Sequence, residues 1–389
     1  MKRVYLDHNA TTPLRPAVRE LYLEWLDRAR GNPSSVHRSG REARSALDDA
    51  RERVAAALAV HEDEIVFTAG GTEALQTGIL GAVRAAGPQA GLVTSAIEHS
   101  AVLGAAATLE KEGRPVVRLP VDAMGRIDID QLAQSVNSAP IAVVSIQAAN
   151  NEIGSVMPLA RVGRRLQDLG PKAPIFHTDA VQALGRIPVR LEADRIDLAA
   201  FSVHKLGGPL GVGLLYHRQG VPLTAPFQGG GQENGLRPGT ENVPAIVAGA
   251  LAVELAVHET HAAAERWRDL SRSFWVQLQT VVQGITLHGP PLDNPERLPN
   301  TLNLGLPEIG GASLDGRMLV ARLDLEGLEV SAGSACASGS LEASHVLLAL
   351  GLAPERARSA LRISFGWSTT AEDIHTAVDM LRRTFLSLR

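Results

Sequence analysis

The sequence predicts a doubly wound α/β fold: a mostly parallel sheet flanked by helices, joined to a smaller α+β unit. Three observations carry that expectation. Short apolar runs of strand length alternate with helical patterns, the signature of βαβ units. Those runs are apolar at nearly every position, as suits parallel strands buried on both faces, and show no clean two-residue alternation. The chain has 389 residues, 45% of them hydrophobic, enough for one large core and a second smaller one.

In chain order the expected strands are Glu64–Thr68, Gly91–Ser95, Ile141–Gln147, Pro174–His177 and Ile196–Ser202. Helical patterns lie between them at Glu73–Ala86, Ala101–Glu112 and Leu159–Leu169. From about Val243 a long helical pattern runs to about Val282, and a Pro-, Gly- and Asn-rich stretch, His288–Asn300, comes after it. Residues 16–259 are expected to form the large unit. Residues 1–15 and 260–389 are expected to form the small one.

Composition excludes several classes. Thirty-eight basic residues against 42 acidic ones leave a formal charge of −4, no electrostatic footprint for nucleic acid. No continuous apolar run approaches the ~18 residues of a membrane span. The opening MKRVYLDHNATTP lacks the apolar stretch of a secretory signal. A single cysteine, Cys336, rules out an intrachain disulfide and a multi-cysteine metal site. A soluble cytoplasmic protein without a structural metal is expected.

The residues just past each strand point to a site. After EIVFT comes Ala69-Gly70-Gly71-Thr72-Glu73; after GLVTS, Glu98-His99; after IAVVSIQ, Asn150-Asn151-Glu152. Asp179 and Gln182 come after PIFH, and His204 and Lys205 after DLAAFS. Open α/β sheets bind ligands beyond the carboxyl ends of their strands, so five consecutive strands deliver polar groups to one edge.

Each residue has a plainer alternative. Only four of the 38 basic residues are lysine, and one of them, Lys205, sits between an apolar strand and a glycine-rich loop. Partial desolvation there suits Schiff-base chemistry, which arginine cannot perform; the alternative is a surface lysine at a strand end. Asp179 is either the partner of a pyridinium nitrogen or a helix cap. AGGTEA can offer free N–H groups to one phosphate; neither a Walker loop nor a dinucleotide fingerprint is present. His99 is a ring-stacking proton carrier or a structural histidine. Cys336, within the Ser-, Ala- and Gly-rich Ser331–Ser340, reads as an accessible nucleophile on a mobile loop more readily than as a buried thiol. Arg362 offers a fork for a carboxylate. His258-Glu259-Thr260-His261 falls one residue short of a metalloprotease motif.

Taken together, YLDHNATTP, GNPSSVH, EIVFTAGGTEA, EHSAV, NNEIG, HTDAVQ, FSVHK, GGGQENGLRPGT and GSACASGSLEASHVLLALGL resemble the cysteine desulfurases. These are class V members of the fold-type I enzymes that use pyridoxal 5′-phosphate (PLP). The resemblance runs from Tyr5 to about Thr370 with the motifs in order. It implies a seven-stranded, mostly parallel sheet in the large unit. It implies that Lys205 holds PLP, that Asp179 faces the pyridine nitrogen, and that His99 stacks on the ring. Gln182 and Asn151 would contact the ring hydroxyl side, with Asn151 also near substrate. Gly71, Thr72, Ser202 and His204 would cup the phosphate, and Thr240 would reach a partner subunit's phosphate in a homodimer. Arg362 would take the substrate carboxylate, and Cys336 would carry sulfur from L-cysteine as a persulfide. His99 is also the expected proton donor to the product.

The implied acceptors are an iron–sulfur scaffold, where Cys336 could touch a cluster in transit, or a tRNA-thiolating enzyme. Val203, Ser100 and Ala337 depart from common family residues without removing a needed group. The chain also ends without the extension some relatives use for a scaffold partner. A selenocysteine lyase or small-amino-acid aminotransferase, and a dimeric binding protein that has kept the fold, are the alternatives.

Overall fold

The computed structural model describes residues 3–333 and 343–388. The first unit begins with β1 (Val4–Tyr5), α1 (Pro16–Arg28) and α2 (Arg38–Leu58). It continues with β2 (Ile65–Thr68), α3 (Gly71–Ala85), β3 (Gly91–Ser95), α4 (Ser100–Lys111), β4 (Val116–Leu119) and α5 (Ile129–Ser138). Then come β5 (Ile141–Ser145), α6 (Leu159–Gln167), β6 (Ile175–Asp179), β7 (Leu198–Ser202), β8 (Gly213–His217) and the 39-residue α7 (Val243–Val281).

Seven of these strands form one sheet in the order β2-β8-β7-β6-β5-β3-β4. The pairs among β7, β6, β5, β3 and β4 are parallel, and β8 runs antiparallel to both β7 and β2. Six strands therefore point one way, and their carboxyl ends share one edge. All five expected strands are present within a few residues. β4 and β8 are additions to them: VVRL is short and half-exposed, and GLLYH lies after a glycine-rich stretch that reads as loop.

Successive strand residues feed two apolar layers. Ile65, Phe67, Val93, Val144, Phe176 and Phe201 pack with α2 and the first half of α7. Val66, Leu92, Val143, Leu198 and Leu215 pack with α3 and α4 on the other face. Each fully buried large apolar side chain contributes about 1.5–3 kcal/mol.

The chain continues through β9 (Thr286–His288), β10 (Thr301–Gly305), α8 (Gly316–Leu325), β11 (Leu328–Glu329), α9 (His345–Ala349), α10 (Pro354–Arg358), β12 (Ala360–Ser364) and α11 (Ala371–Leu386). β12, β10 and β9 form a three-stranded antiparallel sheet, while β1 pairs in parallel with β11. Val4, Leu6, Leu302, Leu304, Ile363, Phe365 and residues of α11 make a separate core. The second half of α7 joins that core through Trp267, Leu270, Phe274 and Leu278.

α7 contains an 18-residue stretch apolar enough to cross a membrane, although Glu254 and other polar residues interrupt the run. Most of that stretch, 61%, is buried inside the protein, because α7 is the element both cores share.

Buried histidines give the fold a pH signature. His177, on β6, is wholly enclosed; its Nδ1 lies 2.8 Å from Ser145 Oγ, and burial lowers its pKa to about 3. His8 is also lowered to about 3, chiefly by burial and then by the charge of Arg186. Unfolded histidines titrate near 6.5, so below that pH the unfolded chain binds more protons than the native one. The His177 share of the unfolding free energy, read as native protein minus His177→Gln in urea, should be constant above pH 7 and fall by about 1.4 kcal/mol per pH unit between pH 6.5 and 4. A share that does not change with pH would contradict the assignment.

Candidate active site

The shared carboxyl edge opens into a cavity of about 760 Å³. Of the residues expected at the site, Gly71, Thr72, His99, Asn151, Asp179, Gln182, Ser202, His204, Lys205 and Arg362 all line it. Thr240 does not line the cavity; it is exposed on the loop before α7. Cys336 lies outside the described residues.

One end of the cavity suits an anion. α3 begins at Gly71, so its unsatisfied N–H groups and positive dipole end face inward. A Cβ on Gly71 would stand 3.1 Å from Ser202 Cβ, so glycine permits the helix to approach β7 this closely. His204 adds a ring whose Nδ1 lies 3.0 Å from Thr11 Oγ1. Burial lowers its pKa to about 4, with Lys205 and Arg186 as further causes, so the ring is neutral.

Asp179 ends β6 at the bottom of the cavity. Burial raises its pKa, while His99, the Val181 N–H and Lys205 favour the charged form. Its Oδ1 accepts from the Val181 backbone N–H at 3.0 Å. No helix follows β6, so Asp179 closes a turn and is no helix cap, and it faces the cavity. His99 caps α4, its Nδ1 accepting from the Ala101 N–H at 3.2 Å, and still lines the cavity. Gln182 donates through Nε2 to the Asn9 carbonyl at 3.0 Å, whereas its Oε1 is buried without a partner among the described residues.

Lys205 comes after β7 on a single turn closed by Gly207 at φ +82°, where a Cβ would meet Arg15 Cγ at 2.8 Å. Lys205 Nζ donates to the carbonyls of Asn9 at 2.7 Å and Ala10 at 2.5 Å. Across the cavity Arg362, on β12, is 1% exposed. Its guanidinium pairs with Asp7 Oδ1 at 2.6 Å and donates to the Asn151 carbonyl at 3.3 Å. Its Nε is buried with no partner among the described residues. A fork held on one side and open on the other can accept a carboxylate.

Two cavity residues, Asn9 and His345, escape a reading of the sequence, while Glu98 and Glu152 are visible in it only by their place after strands. Asn9 is the chief one: it joins Thr301, Asn300, Asn151, Ser364, Gln182 and Lys205. Its motif, YLDHNATTP, is visible, but contacts across some 150 to 350 residues leave no local trace. Glu98 accepts from Ser95 Oγ at 2.6 Å and the Gln147 N–H at 3.1 Å, and burial raises its pKa to about 8. Glu152 accepts from Ser344 Oγ at 2.6 Å, and a Cβ on Gly333 would lie 3.4 Å from its Oε2. His345 Nε2 lies 3.0 Å from the Glu98 carbonyl. The described residues on either side of 334–342 thus reach the cavity wall.

The class-V aminotransferase family model matches residues 4–376. The chain is 42% identical over 391 aligned residues to the cysteine desulfurase IscS of Dictyoglomus turgidum, covering 100% of this chain and 96% of that one. A solved NifS-like protein superposes with a TM-score of 0.90 at 36% identity, each chain covered in full. A solved SspA in complex with cysteine superposes with a TM-score of 0.79 at 31% identity, over 93% of this chain and 98% of that one. Likeness of this extent, end to end, places the chain in the class-V aminotransferase family, among its NifS/IscS-like cysteine desulfurases.

Proposed function

We propose that this chain converts L-cysteine to L-alanine with PLP bound at Lys205, passing the sulfur to Cys336 as a persulfide and then to an acceptor. The observation that carries the reading is the grouping of Lys205, Asp179, an anion-binding helix start and a half-open Arg362 around one cavity. The residues fit PLP on their own chemistry. Gln182 Oε1 is a buried acceptor without a partner among the described residues, Asp179 is a buried acid facing the cavity, and the α3 N-terminus offers free N–H groups. On this reading Gly71, Thr72, Ser202 and His204 hold the phosphate, His99 covers the ring, and Asn151 and Gln182 hold its hydroxyl side.

Bound there, PLP supplies an electron sink for the charge left on an amino acid's α-carbon. Asp179 as carboxylate keeps the ring nitrogen protonated. Arg362 orients the substrate carboxylate through its open side, while Asp7 and the Asn151 carbonyl fix the guanidinium plane. Lys205 removes the α-proton at Nζ. Cys336, as thiolate, forms a bond to the substrate sulfur as the Cβ–S bond breaks. The bonding pair stays with the carbon skeleton, which takes up protons, with His99 as donor, and leaves as alanine. L-Cysteine and one thiol thereby become L-alanine and one persulfide, with no outside oxidant.

On the same reading residues 16–259 form the cofactor-binding unit, and residues 1–15 with 260–389 the unit presenting Cys336. The active form is a homodimer in which Thr240 reaches the partner's phosphate; its exposure outside its own cavity supports that placement. Acceptors on this reading are an iron–sulfur scaffold or a tRNA-thiolating enzyme, and the compartment is the cytoplasm.

Alanine formation from L-cysteine with a thiol reductant tests the core of the reading. Native protein should form alanine, and Cys336→Ala, still holding PLP, should not. Equal rates in both would remove Cys336 from the reaction and favour lyase or transaminase chemistry. Asn9→Ala should lower kcat/KM about 10–100-fold: it removes the amide's bonds to Asn151, Thr301 and Asn300 and so frees to shift the backbone carbonyl that Lys205 and Gln182 share, and displacements near 1 Å have that effect. A variant with native kcat/KM would show that these contacts do not set the geometry.

A further inference from the structure

Behind Lys205, on the side away from the cavity, lies a cation that the proposed reaction does not use. Arg186 is 3% exposed and comes after the turn that carries Gln182. Its guanidinium donates to two neutral acceptors, the Gln182 carbonyl at 3.3 Å and the Lys205 carbonyl at 3.4 Å. It makes no ion pair among the described residues. An enclosed charge without a counter-charge is costly to fold, and replacing it by an apolar side chain of like volume commonly stabilises a protein. Packing alone therefore gives no reason for its charge.

The groups around it share one tendency. His8 and His204 are both held neutral, burial being the first cause and the Arg186 charge a further one for each. Arg15 lines the same crevice, but its charge is matched by Glu259 at 2.6 Å. Asp179, the nearby acid, is oriented by the Val181 N–H and responds to His99 and Lys205. Lys205 itself faces two carbonyls, Asn9 and Ala10, whose dipoles favour a protonated amine. An amine that must take a proton from carbon has to be neutral first. Something must oppose those carbonyls, and Arg186 is the unmatched positive charge placed to do so.

We propose that Arg186 is a positioning residue for Lys205: its buried, uncompensated charge biases the Lys205 nitrogen toward the unprotonated, proton-accepting form. This rests on the proposed use of Lys205 as cofactor anchor and base, but the electrostatic claim concerns the protein alone.

The test exploits the scarcity of lysine, only Lys2, Lys111, Lys172 and Lys205. Apoprotein is reductively methylated with ¹³C-formaldehyde, Lys205 is assigned with Lys205→Arg, and its amine is titrated by NMR. In the native protein Lys205 should titrate below the ordinary ~10.4. Arg186→Met should raise that value by about one pH unit or more, and Arg186→Lys should hold it near native. Equal Lys205 values in all three proteins would overturn the proposal. Should Arg186→Met fail to fold, a native Lys205 titrating at or above ~10.4 overturns it alone. A parallel absorbance titration after adding PLP separates the two readings. No lysine–PLP chromophore in native protein defeats the cofactor reading and leaves the amine titration to decide the role of Arg186. A chromophore whose pKa rises in Arg186→Met and recovers in Arg186→Lys supports both.

Discussion

The geometry of the site depends on complete use of the polar groups of one buried residue. Asn9 has a backbone N–H, a backbone carbonyl with two lone pairs, an amide NH₂ and an amide oxygen. The N–H donates to Ser364, the carbonyl accepts from Gln182 and Lys205, the NH₂ donates to Asn151 and Thr301, and the amide oxygen accepts from Asn300. Nothing is left over. Those partners come from the large sheet's edge and from β10 and β12, so one residue, through backbone and side chain, sets where they stand relative to each other. No other residue type offers two donors and an acceptor on so short a stem, and a buried group deprived of its partner costs about 1–3 kcal/mol.

Around that hub, charge is kept to a minimum. His8, His177 and His204 are neutral because they are enclosed, and Glu98 is pushed toward its protonated form for the same reason. The other ionisable groups in or beside the cavity among the described residues include the Arg362–Asp7 and Arg237–Glu73 pairs, Glu152, Asp179, Lys205 and Arg186. In a low-dielectric pocket each remaining charge acts over a longer distance than it would in water.

Much of this was legible from sequence because the informative residues sit immediately after strands. Glycine at 71, His99, Asp179 and Lys205 announce themselves by their place behind apolar runs whose role is unambiguous, and the sheet then brings their ends to one edge. Residues whose work is done across long separations were silent. Asn9 and Asp7 lie in an N-terminal motif with no strand longer than two residues beside it. His345 matters through the Glu98 carbonyl, a partner almost 250 residues away. Arg186 was hidden differently: in a chain with 34 arginines, one more after a glycine reads as surface. Its burial comes from α7 and the Lys205 turn, which only the folded chain brings together.

The N-terminal anchoring has a consequence for how the molecule is made. Asn9 and Ser364 are 355 residues apart, and β1 pairs with β11, more than 300 residues downstream. At translation speeds of about 5–20 residues per second, Asn9 leaves the ribosome roughly 20–70 s before its last partner exists. The seven-stranded sheet can assemble during that interval, yet the floor beneath Lys205 must wait. A truncated or stalled chain therefore carries the lysine without its setting.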